Sequence, residues 1–226
     1  MKRTAVVLVV MVSLVAAASA SPLPPNAGVV FVNGAPLYDE QPGRTLKASE
    51  YLTLGDVVTM LNRNGSFKDN GKDRDFTRIK AMDGKEGWVR KDYVAGKSSI
   101  GIVKSDKATI YSEPRDIKIT SRFVSGMTLV AILQDGTTGG FAKVQGYDTA
   151  QGILFTDSTF LSMDDLATAD ADVQAAILYD VAMATKDPGV RKNLLKLAAA
   201  HYGSSIFSPK VQAALGTAAG SGGQGN

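Results

Sequence analysis

Large and polar residues alternate along Phe76-Thr77-Arg78-Ile79-Lys80, the period of a strand with one buried face. Met82 to Gly87 (MDGKEG) then sets two glycines around charge, which predicts a hairpin turn because glycine takes positive φ without steric cost. Gly87-Trp88-Val89 resumes the strand pattern, Arg90-Lys91-Asp92 fits one tight helical turn, and Tyr93-Val94 fits a short closing strand. Upstream, Gly28-Val29-Val30-Phe31-Val32 is an apolar run ended by the turn dipeptide Asn33-Gly34. Gly34 to Tyr38, with Pro42-Gly43, predicts an opening strand and a long loop, and Leu52 to Leu61 a further strand. The segment from Asn62 to Arg74 is rich in Gly, Asn and charge and predicts an exposed, mobile loop.

The pattern recurs downstream. After a short linker at Gly96-Lys97-Ser98-Ser99, Lys107 to Pro114 parallels Gly34 to Pro42, and Val124 to Leu133 parallels Leu52 to Leu61. Gly140 to Val144 parallels Asp75 to Ile79, Gly152-Ile153-Leu154 parallels Gly87-Trp88-Val89, and Thr159-Phe160-Leu161 parallels Asp92-Tyr93-Val94. Two β units, 28–96 and 101–163, follow, the second with Ile153 in place of tryptophan.

Beyond Met163 the period becomes helical. Val173, Ile177, Val181 and Ala184 form one stripe of a helix over 164–184. Asp187-Pro188 starts a second helix, which Val190, Leu194, Leu197 and His201 continue to Gly203. Ser208-Pro209 starts a third, over 209–215, stopped at Gly216. Helices this short need tertiary packing, so the 164–216 segment is expected to dock on the second β unit or on a partner. The Gly/Ser-rich end, 217–226, predicts disorder.

At the other end, Lys2-Arg3, the apolar run Ala5 to Val15 and Ala18-Ser19-Ala20 make residues 1–20 a secretory signal peptide, followed by a Pro-rich lead-in to Asn26. The chain is therefore expected to be exported, periplasmic or secreted, with no membrane span after cleavage. It has no cysteine, so disulfides, thiolate metal sites and cysteine nucleophiles are excluded. Net charge is +3, and removal of Lys2 and Arg3 leaves 23 basic against 22 acidic residues, which argues against nucleic acid as partner.

Catalytic signals are sparse. His201 is the one histidine, so no Ser-His-Asp or Cys-His arrangement exists, and no phosphate-cradling loop occurs. Asp164-Asp165 and Asp170-x-Asp172 match neither a calcium loop nor a glycosidase pair and read as a helix start and solvated face. No metal and no cofactor are expected.

The ordered set Gly34-Ala35-Pro36-Leu37-Tyr38, Leu52 to Leu61, and Asp75 to Val94 with its Gly-Trp-Val and Tyr-Val resembles the bacterial SH3 (SH3b) domain family. That resemblance implies a fold mainly β with an α-helical C-terminus: two tandem SH3-like β-barrels plus a small helical segment. It also implies a ligand groove lined by Tyr38, Phe76, Trp88 and Tyr93, and in the second unit by Tyr111, Phe141 and Phe160. Alternation assigns Leu37, Val57, Ile79 and Val89 to the core; Trp88 and Tyr93 fit groove or core equally. The function implied is non-catalytic binding in the cell envelope, with the peptide part of peptidoglycan as ligand. The alternative is a protein–protein adaptor of an envelope complex, docking through the grooves or the C-terminal helices.

Overall fold

The computed structural model describes residues 24, 26–39, 48–69, 71–115, 119–156 and 159–220. Residues 1–20, read above as a signal peptide, Pro42-Gly43 and the last six residues lie outside these. The alternating segments of the first unit become β1 (Ala27–Val30), β2 (Ala35–Leu37), β3 (Glu50–Leu52), β4 (Val57–Asp69), β5 (Lys72–Lys80) and β6 (Glu86–Arg90). A 3-10 turn at Lys91–Tyr93 and β7 (Val94–Gly96) complete it. The sheet order is β6-β5-β4-β1-β7, and β2 and β3 pair as a separate ribbon. The ribbon packs on the sheet through Ala35, Leu37 and Leu52, which meet Val30, Val58, Ile79, Val89 and Val94 in one core.

The next strands are β8 (Ser98–Val103), β9 (Lys107–Tyr111), β10 (Ile119–Ser125), β11 (Leu129–Leu133), β12 (Phe141–Asp148), β13 (Ile153–Phe155) and β14 (Phe160–Ser162). A 3-10 turn at Met163–Asp165 leads into β15 (Leu166–Ala167). Their order is β10-β9-β14-β12-β11-β8-β15, with β13 on β12. A second core holds Val103, Ile110, Val124, Val130, Val144 and Leu161. The chain is mainly β with three helices in its C-terminal part. Among the described residues no closed barrel forms, contrary to the two barrels expected: the closing strands β7 and β15 are three and two residues long and each pairs on one side only.

Several boundaries differ from the sequence reading: the strand expected over Leu52 to Leu61 is broken by a turn between β3 and β4, and that over Val124 to Leu133 by a turn between β10 and β11. The segment 62–74 is not a loop but the far half of the β4–β5 hairpin. Asn62, at φ 53, marks a bulge where the register shifts, after which Gly65 opposes Phe76 and Phe67 opposes Arg74. Lys68 opposes Asp73 and Asp69 opposes Lys72, opposite charges that favour the cross-strand pairing. The linker shrinks to Lys97, at φ 50, between β7 and β8. Its N–H donates to the Ala27 carbonyl at 3.1 Å and its carbonyl accepts from Gln134 N–H at 3.0 Å. The second β unit extends past 163, because Leu166 and Ala167 pair with Val103 and Ile102. The last helix continues through Gly216 to Gly220, so 217–220, expected to be disordered, are helical.

The helices are α1 (Asp170–Ala184), α2 (Pro188–His201) and α3 (Ser208–Gly220). Asp187 caps α2, its carboxylate accepting from Val190 N–H at 2.9 Å. The α1 stripe divides. Val173 and the partly buried Ile177, with Ala175 and Ala176, enter a third core built from both sheets: Val29, Phe31, Leu54 and Ala95 on one side, Ile102, Leu129 and Ala131 on the other. Val181 instead packs with Leu194, Leu195 and Val211 of α2 and α3, and Ala184 is exposed. Gly55 lies under α1: at φ 86, a Cβ there would stand 2.6 Å from Ile177 Cδ1. The α2–α3 loop plugs the same core with Phe207, held where Asp172 Oδ1 accepts from Ile206 N–H at 2.9 Å. Among the described residues no helix is long and apolar enough to cross a membrane.

Candidate functional site

Strand pleating sends Phe76 to one face of β5 and its neighbours Asp75 and Thr77 to the other. On the first face Tyr38, Phe76 and Trp88 meet in one cluster. Tyr38 and Trp88 are joined by an antiparallel bridge, and the Tyr38 and Phe76 rings stand edge-on at 5.9 Å. These three are not an open groove. Phe76 is fully buried, and Tyr38 and Trp88 are each 8% exposed. The lid is Phe67, a residue the loop reading passed over: its ring lies 5.5 Å from Phe76 and 5.3 Å from Trp88. Gly65 makes room for it, since a Cβ there would fall 2.4 Å from Phe67 Cζ. Burial raises the Tyr38 pKa, and the charge of Asp69 adds to this.

Tyr93 stands apart from that cluster, half-buried in the 3-10 turn under the Arg90 guanidinium at 4.3 Å from its ring centre. Arg90 Nε donates to Asp92 Oδ1 at 2.9 Å, and Arg90 Nη1 lies 3.6 Å from Asp69 at the hairpin tip. The hydrogen bond to Asp92 raises the Arg90 pKa, against the opposing effect of burial. Burial likewise raises that of Tyr93, with Arg90 opposing. This network ties the hairpin that carries Phe67 to the turn beside it.

In the second sheet Tyr111 and Phe141 stand edge-on at 4.9 Å, and Tyr111 bridges Phe160. Phe160 therefore holds the place beside Tyr111 that Trp88 holds beside Tyr38. This corrects two pairings, Ile153 with Trp88 and Phe160 with Tyr93. The cause is the pairing of β12 first with β13, at Gly146 and Phe155, and then with β14, at Lys143 and Phe160. Phe141 is buried, but Tyr111 and Phe160 are half-buried, and no phenylalanine among the described residues packs over them as Phe67 does over Trp88.

A second concavity gave no sequence signal. A cleft of about 1080 Å³ opens along the other face of the β4–β5 hairpin, lined there by Asn62, Asn64, Asp73, Asp75 and Thr77. Lys91, Gly96 and Lys97 continue the lining, and Gln145 and Thr156 contribute from the second sheet. Its residues come from six separate segments, none with a motif. His201 is exposed on the last turn of α2. Among the described residues no group of three or more His, Cys, Asp or Glu could hold a metal ion.

No protein family matches the chain, and no curated protein matches it. Among solved structures, similarity is found to NlpC2 from Trichomonas vaginalis, at 20% identity and a TM-score of 0.25 over 76% of this chain and 55% of that one. NlpC1 from Trichomonas vaginalis follows at 19% identity and a TM-score of 0.24, over 74% of this chain and 57% of that one. The match thus spans little more than half the length of those structures. At such scores the similarity assigns neither fold nor activity to this chain.

Proposed function

We propose that the chain is a non-catalytic protein of the cell envelope, exported through residues 1–20, that binds the peptide part of peptidoglycan through two SH3-like modules. One observation carries this reading: each β unit has an aromatic trio in a similar arrangement, Tyr38, Phe76 and Trp88 in the first and Tyr111, Phe141 and Phe160 in the second. The frame around each trio supports a duplication. In both sheets the trio's strand is followed by a 3-10 turn and a short strand that pairs beside the first strand of the unit, Val94 with Val30 and Leu166 with Val103. Flat rings offer contact area at small entropic cost, and tyrosine keeps a polar handle for peptide groups. The half-open second trio is the surface open to ligand as it stands; the first is covered by Phe67 and engages only once that ring moves aside.

The test is retention of the chain from Ser21 onward, which contains every described element, on purified wall material. Wild type is expected to be retained, and Tyr111→Ala combined with Phe160→Ala to lower affinity about tenfold, as loss of an aromatic anchor does. Undiminished retention of a folded double variant refutes the trio. Release of soluble wall fragments would refute the non-catalytic reading. The adaptor alternative predicts retention on an envelope protein instead, lost when α2 and α3 are altered. It has less surface available, because the α1 stripe is divided between the sheets and the other helices.

A further inference from the structure

The polar cleft lies on the face of β5 opposite the aromatic cluster, and three features single it out. First, its walls carry charges that do not neutralise one another. Asp73, Asp75, Lys91 and Lys97 are exposed and make no ion pair among the described residues, whereas Arg74 and Asp92, which also line the cleft, are half-buried and Asp92 is paired with Arg90. Second, the described residues with positive φ other than glycine are Asn62, Lys97 and Met127, and the first two line the cleft. Such conformations are strained and persist where the surroundings impose them, often at binding sites. Third, Thr77 is 2% exposed, and its hydroxyl has only a long contact of 3.5 Å to the Arg63 carbonyl. That leaves a buried hydroxyl on the cleft wall able to turn toward a ligand.

The cleft's shape is fixed before any ligand arrives. Lys97 joins the two sheets with both its backbone groups hydrogen-bonded, which ties the wall bearing Asp75 to the wall bearing Gln145. Preorganisation of this kind lowers the entropic cost of binding. An extended tetrapeptide is roughly 13–14 Å long, and a space of about 1080 Å³ is ample for it.

We infer that this cleft binds a short peptide carrying both free ammonium and free carboxylate groups, the ammoniums facing Asp73 and Asp75 and the carboxylates facing Lys91 and Lys97. The exposed charges of the lining are two acids and two lysines, and they match a ligand with two charges of each sign; Asp92 is already paired with Arg90, and the half-buried Arg74 lies beside Asp73 and Asp75 in β5. The inference rests on the reading of the chain as a peptide binder, but it uses neither aromatic trio.

The experiment titrates isotope-labelled chain from Ser21 with the soluble tetrapeptide Ala-Glu-Lys-Ala, both termini free, and follows backbone amide resonances. The control is the same backbone with acetylated and amidated ends and glutamine at both central positions. Saturable shifts are expected at Asp75, Thr77, Lys97 and Gln145 with the charged peptide. The control is expected to bind at least tenfold more weakly. Asp75→Asn and Lys91→Gln, both at exposed positions, should each weaken the charged peptide about fivefold, the scale of one solvent-facing charge contact, with the melting temperature unchanged. Equal binding of both peptides, shifts confined to Tyr111 and Phe160, or no saturable shift overturns the inference. Because no wall is present, failure here leaves the wall-retention result standing, and failure of wall retention leaves this one standing.

Discussion

Phe207→Ala tests whether the three helices belong to the β structure or merely follow it. Phe207 is 5% exposed in a core shared by Val29 and Phe31 of the first sheet, Ile102 and Leu129 of the second, and Val173 of α1. Its loop is held by Asp172 and by the Ser205 hydroxyl, which accepts from Phe207 N–H at 3.1 Å. Truncating a buried phenylalanine costs roughly 3–5 kcal/mol in lost transfer energy and residual cavity. At about 2–4 °C per kcal/mol for a chain of this size, the lower figure lowers the melting temperature by roughly 6–12 °C. The assay uses two probes. Trp88, the one tryptophan, sits in the aromatic cluster of the first unit, outside the shared core. Far-UV ellipticity reports the helices. If α1 and the Phe207 loop bind both sheets into one cooperative body, the two midpoints fall together. A helical midpoint that drops while the Trp88 midpoint stays refutes the shared core and makes the helices a separate appendage.

Two further outcomes follow from the same geometry. Phe67→Ala removes two ring contacts, each worth about 0.5–1.5 kcal/mol, and uncovers Trp88; its emission should shift to the red and become quenchable, and an unchanged spectrum refutes the lid. At Asp148, burial pushes the carboxyl up, but hydrogen bonds from Ser125 N–H and from Gln151 outweigh it and leave the pKa lowered. The group therefore contributes stability above the unfolded carboxylate pKa of about 3.9 and loses it as pH falls through the lower folded value. Asp148→Asn should lower the melting temperature at neutral pH, with the gap to wild type closing below about pH 4; a gap independent of pH refutes this.

The legible parts of the chain were those in which one face is apolar. Phe76 to Lys80 and Gly87 to Val89 are strands where the alternation placed them, while the tight turn expected at 90–92 lies one residue later, at Lys91–Tyr93, and takes Tyr93 out of the closing strand. The far half of the β4–β5 hairpin was illegible because its cross-strand neighbours are mostly charged and it has no core of its own; its one signal was Phe67, two residues beyond a glycine that opposes Phe76. Phe160 was misaligned because spacing along the chain cannot reveal that one strand pairs in turn with β13 and β14. Gly216 did not end α3, since a single interior glycine costs only about 1 kcal/mol relative to alanine and Ala213, Ala214 and Leu215 favour helix. The cleft could not be read at all: polar side chains converge there only after the two sheets are set against each other.

The junction bears on which site the architecture serves. Two binding modules on a flexible linker gain avidity because each can search for its own ligand. Here the connector is Lys97 alone, bonded on both sides, and Ser98 adds a buried hydroxyl donating to the Ala95 carbonyl at 2.9 Å. With α1 packed against both sheets, the aromatic surfaces are held at one fixed spacing, and they engage together only if wall peptides recur at that spacing. Rigidity is a handicap for such surfaces. It is a requirement for a cleft whose walls come from different sheets, since any hinge at Lys97 would separate Asp75 from Gln145. The two left-handed residues at its lining, Asn62 and Lys97, sit where its walls are set: Lys97 between the two sheets, and Asn62 at the bulge that also sets the register of Phe67.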